Sequence, residues 1–236
     1  MSEMVRRFVR QKFGSGGLVA ALAVLALLEV LGLVSRGADR GLGMANWAIL
    51  VVAAGSVSRD VSSGALQMIL SRPIRRTEYL FGRYFGILAA YALFLVVTWL
   101  LTLLVAAVMP AGTRPAAADL SAGTLAVATG SAFLSGALQA SILLFFSTFL
   151  PGIADLLGLL LVYLVLNLPQ MASAPWLRNA AERARENMLP AVEWNEVLRG
   201  HGVLGAATGR WVFALTVYLA MAAVIFSRRE LPYGQE

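Results

Sequence analysis

The sequence predicts an all-α fold, a polytopic transmembrane bundle, and three observations carry that expectation. Of the 236 residues, 59% are hydrophobic and only 14% charged, against roughly 25% charged in a soluble domain. The apolar residues fall in long runs separated by short charged stretches, the pattern of membrane-crossing helices rather than of one soluble core. There is no cysteine and one histidine, His201, so disulfides and thiolate metal sites are excluded and no metal is expected. The net charge of +6 and pI near 10.3 would suit nucleic acid in a soluble chain. In a membrane chain basic residues first set topology, and nucleic acid is not an expected partner.

A hydrocarbon core of about 30 Å asks for around 20 apolar residues per helix. Six segments approach that demand: 17–34, 44–58, 84–109, 121–150, 153–168 and 210–227. Together they make residues 1–236 a single transmembrane domain. The second and fifth are short, which tilt, flanking residues or local thinning would accommodate. The third and fourth are long enough to protrude or kink, and Pro151-Gly152 separates the fourth from the fifth.

Basic residues orient the bundle. Arg6, Arg7, Arg10, Lys12, Arg59, Arg72, Arg75, Arg76, Arg83, Arg228 and Arg229 fall on one side, eleven in all. Arg36, Arg40, Arg114, Arg178, Arg183, Arg185, Arg199 and Arg210 fall on the other, eight in all, four of them in the long 169–209 connection and Arg210 just after it. Both termini are therefore expected in the cytoplasm. Residues 1–13 read as an amphipathic helix, with Met4, Val5, Phe8, Val9 and Phe13 opposite Arg6, Arg7 and Arg10. Such a helix lies in the cytoplasmic interface, its arginines near lipid phosphates.

Residues 59–83, RDVSSGALQMILSRPIRRTEYLFGR, connect the second and third spans. From Ser62 to Ser71 the pattern is again amphipathic: Ala65, Leu66, Met68, Ile69 and Leu70 share a face opposite Ser63, Gly64, Gln67 and Ser71. Pro73 ends that helix, and Arg72, Arg75 and Arg76 cluster favourably at its C-terminal end. By themselves these residues describe a loop helix on the membrane with topology-setting arginines.

The loop resembles the first cytoplasmic loop of the type-2 ATP-binding-cassette (ABC) permeases, membrane subunits of bacterial exporters. Asp60 takes the acidic place of that family's pattern, and Gly64-Ala65-Leu66 the Gly-Thr-Leu place. Pro73-Ile74, Arg76, Tyr79-Leu80 and Gly82-Arg83 then follow in register. Ala65 for Thr, Asp60 for Glu and Arg83 for Lys are mild departures. The tail FSRREL at 226–231 is similar to one that closes many of these permeases.

The resemblance implies a translocation path formed with a second permease copy or a paralogue. Two copies of a separate cytoplasmic ABC ATPase subunit would carry ATP and Mg and drive it, in the bacterial inner membrane. It makes 60–71 a coupling helix docking on the ATPase. The coupling residues are then Asp60, Gly64, Leu66, Arg72, Pro73, Arg75, Arg76, Tyr79, Gly82 and Arg83, with Glu78 in the same stretch. Arginine's planar, always-charged fork suits acidic partners. This chain supplies no cofactor site of its own: a P-loop needs Gly-Lys-Ser/Thr after a glycine loop, and the only lysine is Lys12, in QKFG. A periplasmic partner is also compatible with the family.

Glu29 is the one acid well inside a span and is the candidate for a substrate or ion path, or a partner of Arg36 or Arg40. Asp155 reads as the cap of the fifth span. Gln139 and Asn167 read as interhelical hydrogen-bond glue, and the small residues of 121–141 as a close-packing face. In the outer connection, Pro175 starts a helix to about Met188 and Pro190 another through Leu198, with Trp176 and Trp194 as interfacial anchors. The charge of the first (Arg178, Glu182, Arg183, Arg185, Glu186) argues for a surface position.

Two rival classes fit less well. A rhomboid-type intramembrane serine protease needs G-x-S-G and a histidine on a neighbouring span, but FLSG at 133–136 lacks the first glycine and His201 falls in the outer loop. A secondary transporter would carry ionisable groups near the midplane and repeat symmetry between halves. Beyond Glu29 there is little of either.

Overall fold

A computed structural model describes residues 2–36, 42–57, 60, 75–109, 121–150, 154–167, 175–200 and 205–228. Among these, the regular structure is entirely helical. The helices are α1 (Ser2–Phe13), α2 (Gly16–Arg36), α3 (Ala45–Ala53), α4 (Arg76–Val108), α5 (Ala122–Ser147), α6 (Ala154–Asn167), α7 (Pro175–Met188), α8 (Trp194–Leu198) and α9 (Ala206–Arg228).

Four of them are long and apolar enough to cross a membrane: α2, α4, α5 and α9. Four of the six expected spans thus have a helix of crossing length among the described residues. α6, with 14 residues, extends about 21 Å, and α3, with nine, about 14 Å at 1.5 Å per residue. Both fall short of the ~30 Å core when upright. The expected 44–58 span stops at Ala53 because Gly55 turns the chain with φ +63°, a conformation glycine adopts without cost. Conversely, the expected 84–109 span begins eight residues early, at Arg76. Polar residues hid that start from an apolar count, yet Tyr79 and Leu80 are buried there.

α5 is the hub. It packs against α3, α4, α6, α8 and α9, and its small residues let neighbours approach. A Cβ on Gly136 would sit 2.4 Å from the Tyr91 ring of α4, and one on Gly130 would sit 3.1 Å from Leu198 of α8. Hydroxyls on the apolar helices are answered locally: Thr98 donates to Phe94 O (2.9 Å), Thr102 to Thr98 O (2.8 Å) and Ser141 to Leu138 O (2.7 Å). Backbone carbonyls of the same helix thereby spare these groups from facing an apolar surround unpaired.

Several expectations need correction. α1 forms as the pattern predicts, with Arg6 and Arg10 exposed, but Phe8 is buried against α4 rather than turned to lipid: a Cβ on Gly86 would meet its ring at 2.8 Å. Trp176 is exposed, whereas Trp194 is buried edge-on against Trp211, ring centroids 5.1 Å apart, and is no interfacial anchor. The second outer helix starts at Trp194, not Pro190. Gln139 does bridge helices, donating to Asn46 Oδ1 at 3.5 Å, but Asn167 bonds Tyr163 O in its own helix at 2.7 Å. The Pro151-Gly152 break lies outside the described residues.

Candidate functional site

The stretch that carries the coupling motif is described at Asp60 and again from Arg75 onward. Gly64, Leu66, Arg72 and Pro73, with the rest of the expected coupling helix, lie outside the described residues. Its two roots are described, and each is fastened differently.

At the first root, α3 ends in the turn 54–57, which is buried throughout. A buried turn needs partners for its N–H groups. Gly55 N donates to Asp155 Oδ2 (2.7 Å) on α6, and Val57 N to Ser147 Oγ (3.0 Å) at the end of α5. Asp155 also accepts from Leu156 N at 2.9 Å, so from the first turn of α6, and not from a cap position, it joins α3 to that helix. Three residues on, Asp60 is 5% exposed and its Oδ2 accepts from the Tyr79 hydroxyl at 2.5 Å. The same oxygen pairs with Arg83 Nη2, and Arg83 Nε donates to the Tyr79 hydroxyl at 3.1 Å.

Tyr79 and Arg83 are four residues apart, hence on one face of α4. Sequence spacing alone puts them side by side, and the fold adds Asp60. Around this trio, the Arg83 guanidinium lies 5.1 Å from the Phe8 ring centroid and 5.4 Å from that of Tyr79. Stacking of a guanidinium on aromatic faces is favourable when water is excluded. Tyr79 itself stacks on Phe226 of α9 with centroids 5.7 Å apart. A single cluster therefore joins α1, the loop root, α4 and α9.

At the second root, Glu78 folds back to accept from Arg75 N (3.4 Å) at the start of α4, an acid in a first helical turn. Arg75 is exposed. Arg76 is not wholly turned outward: its Nη1 donates to Ser227 O at 3.1 Å and to Phe226 O at 3.5 Å, in the last turn of α9. Gly82 is buried on α4. Of the residues singled out from sequence, Asp60, Tyr79 and Arg83 come together, Arg76 reaches α9, and Arg75 stays at the surface. Phe8, Phe226, Asp155 and Ser147 were not foreseen as parts of one unit. Only the FSRREL tail hinted at Phe226.

Glu29 lies apart from this cluster. It is 1% exposed, seven residues before the end of α2, and accepts from Gly43 N at 3.1 Å and from Met44 N. Met44 is the N-cap of α3. The carboxylate thus serves the unsatisfied N–H groups of a short helix that starts inside the bundle.

A family model described as ABC-2 family transporter protein matches residues 12–200, which run from the end of α1 through both roots of the loop to α8. No curated protein matches the chain closely enough to count as a relative. With well over half of its length matched, this multi-pass membrane chain belongs to the ABC-2 family of transporter proteins.

Proposed function

We propose that the chain is the translocating subunit of a bacterial ABC exporter, coupling ATP hydrolysis on separate cytoplasmic subunits to passage of a substrate. In this reading both termini and the 59–83 loop face the cytoplasm of an inner-membrane protein. Two permease copies, or this chain and a paralogue, frame the path, and ATP and Mg reside on two ATPase subunits. The single observation that carries it is the fastening of the loop roots. Asp60 is held to Tyr79 and Arg83 of α4, and Arg76 to the carbonyls closing α9. A force applied to the intervening stretch would be delivered to two of the longest helices rather than dissipated in a slack loop. Buried, hydrogen-bonded charge is suited to that role, because separating it costs far more than breaking a surface pair.

The test uses Arg72 and Arg75, leaving aside Arg76 because its guanidinium also serves α9. The Arg72→Glu/Arg75→Glu variant should insert and remain folded, yet lose its ATPase partner on co-purification. Desolvated interfacial charge pairs cost about 2–5 kcal/mol to break, so retention should fall at least ten-fold. A variant that keeps the ATPase and its transport-linked turnover would reduce these arginines to topology signals.

A further inference from the structure

A cavity of about 530 Å³ opens beside the first loop root, between Phe8 of α1, Leu18 of α2, Val51 of α3 and Leu156 of α6. The polar side chains of its wall are Ser56, Asp60 and Arg83, with Ser15 of the α1–α2 link. The hydrogen-bonding of that wall is incomplete in a specific way. Ser56 is 3% exposed, and its Oγ has no partner, although the N–H groups on either side of it, of Gly55 and Val57, are served by Asp155 and Ser147. Asp60 uses Oδ2 for both Tyr79 and Arg83, and among the described residues Oδ1 has no bond. Arg83 uses Nε and Nη2, which leaves the two N–H groups of Nη1. A buried hydroxyl without a partner is costly, and a wall that offers a cation, a carboxylate oxygen and a hydroxyl together is matched by a zwitterion. The apolar residues opposite match a hydrocarbon stem, and the volume is that of a small-molecule site.

We propose that this cavity binds the headgroup of a zwitterionic aminophospholipid, its phosphate against Arg83, its ammonium against Asp60 and the Ser56 hydroxyl between them. A primary ammonium is required because it donates hydrogen bonds to a carboxylate, which a quaternary ammonium does not. Delivery from the inner leaflet rests on the orientation proposed above. α1 fits that source, since Phe8 lines the cavity while Arg6 and Arg10 of the same helix are exposed, the arrangement of a helix lying at a lipid surface. The ligand would brace the root of the loop, because it engages the same Asp60 and Arg83 that hold it.

The experiment places the full chain in nanodiscs containing equal amounts of phosphatidylethanolamine, phosphatidylcholine and phosphatidylglycerol, and counts the retained lipid by native mass spectrometry. Phosphatidylethanolamine should be retained about ten-fold over the other two, the discrimination of one charge-assisted hydrogen bond. Ser56→Ala, which removes no internal bond, should lower that preference by about 2- to 10-fold, and Val51→Trp should abolish it by filling the cavity. Equal retention of the three lipids, or an undiminished preference in Ser56→Ala, would overturn the proposal. So would displacement of the lipid by glycerophosphoethanolamine at matching concentration, which would make the ligand a soluble phosphate ester. Retention is read without any ATPase, so failure of the coupling role leaves this result standing, and the reverse holds too.

Discussion

Glu29 and Asp60 are both carboxylates taken almost wholly out of water, and the protein answers them in opposite ways. Asp60 is met by side chains, the Tyr79 hydroxyl and the Arg83 guanidinium, both from one face of α4. Glu29 takes up backbone, the N–H groups of Gly43 and Met44 where α3 begins, among its partners. The first arrangement fixes one segment against another through groups that could exchange partners. The second satisfies a helix end that would otherwise stand unpaired inside an apolar bundle. Charge inside a membrane protein is thus no single signal: one of these acids sits at the root of the candidate coupling loop, the other holds a short helix in place.

The largest effect separating the two belongs to the ion pair. Arg83→Met leaves the Asp60 carboxylate buried beside a lone phenol, and removing one partner of a buried pair costs about 3–5 kcal/mol. Replacing both partners, as Asp60→Leu/Arg83→Met, should restore most of that stability, since an apolar pair of similar volume is often neutral or better. Thermal unfolding of the detergent-solubilised protein measures both. A double variant as unstable as the single one would mean that the pair binds by more than mutual neutralisation.

Next in size is Glu29→Ala. It strands two amide groups at the start of α3, for about 1–3 kcal/mol, whereas Glu29→Gln keeps one acceptor and should lose less. If Glu29 is only the anchor of α3, transport by the Gln variant should fall no further than its folded fraction, measured by substrate efflux normalised to folded protein. A disproportionate loss with normal stability would give Glu29 a place in the substrate or ion path.

The same comparison explains what could be read from sequence. Asp60, Tyr79 and Arg83 were legible as members of the motif, but their meeting was not, because only the fold brings Asp60 to the helical face that a spacing of four gives Tyr79 and Arg83. The hold of Glu29 on the start of α3 was not legible, because the partners there, Gly43 N and Met44 N, are main-chain groups that any residue supplies. Apolar length located the helices but misjudged their ends. α3 is cut short by Gly55, a conformational signal rather than a hydrophobic one, and α4 is extended through Arg76–Arg83, where tertiary partners neutralise the polar residues that an apolar count rejects. Phe8 went wrong for a related reason: its wheel position marks an apolar face, but Gly86 on a helix far along the chain decides what covers that face.

A third charge sets the lower bound of the comparison. Glu186 of α7 pairs with Arg210 of α9, their side chains 53% and 39% exposed. An ion pair so open to solvent is worth about 0–1 kcal/mol and is screened by salt. Little else ties α7 down: Ala181 is its only buried residue, and the Tyr218 hydroxyl reaches Met188 O at 3.3 Å. Glu186→Gln should therefore leave the unfolding temperature of the bundle nearly unchanged. It should still raise protease cleavage within 175–188, by no more than about five-fold, the equivalent of 1 kcal/mol. High salt should produce the same increase in the wild type and no further increase in the variant. The Asp60–Arg83 pair, shielded from solvent ions, should be indifferent to that salt. If Glu186→Gln instead destabilises the whole bundle, α7 is an integral wall of the membrane domain, and exposure has misjudged the pair.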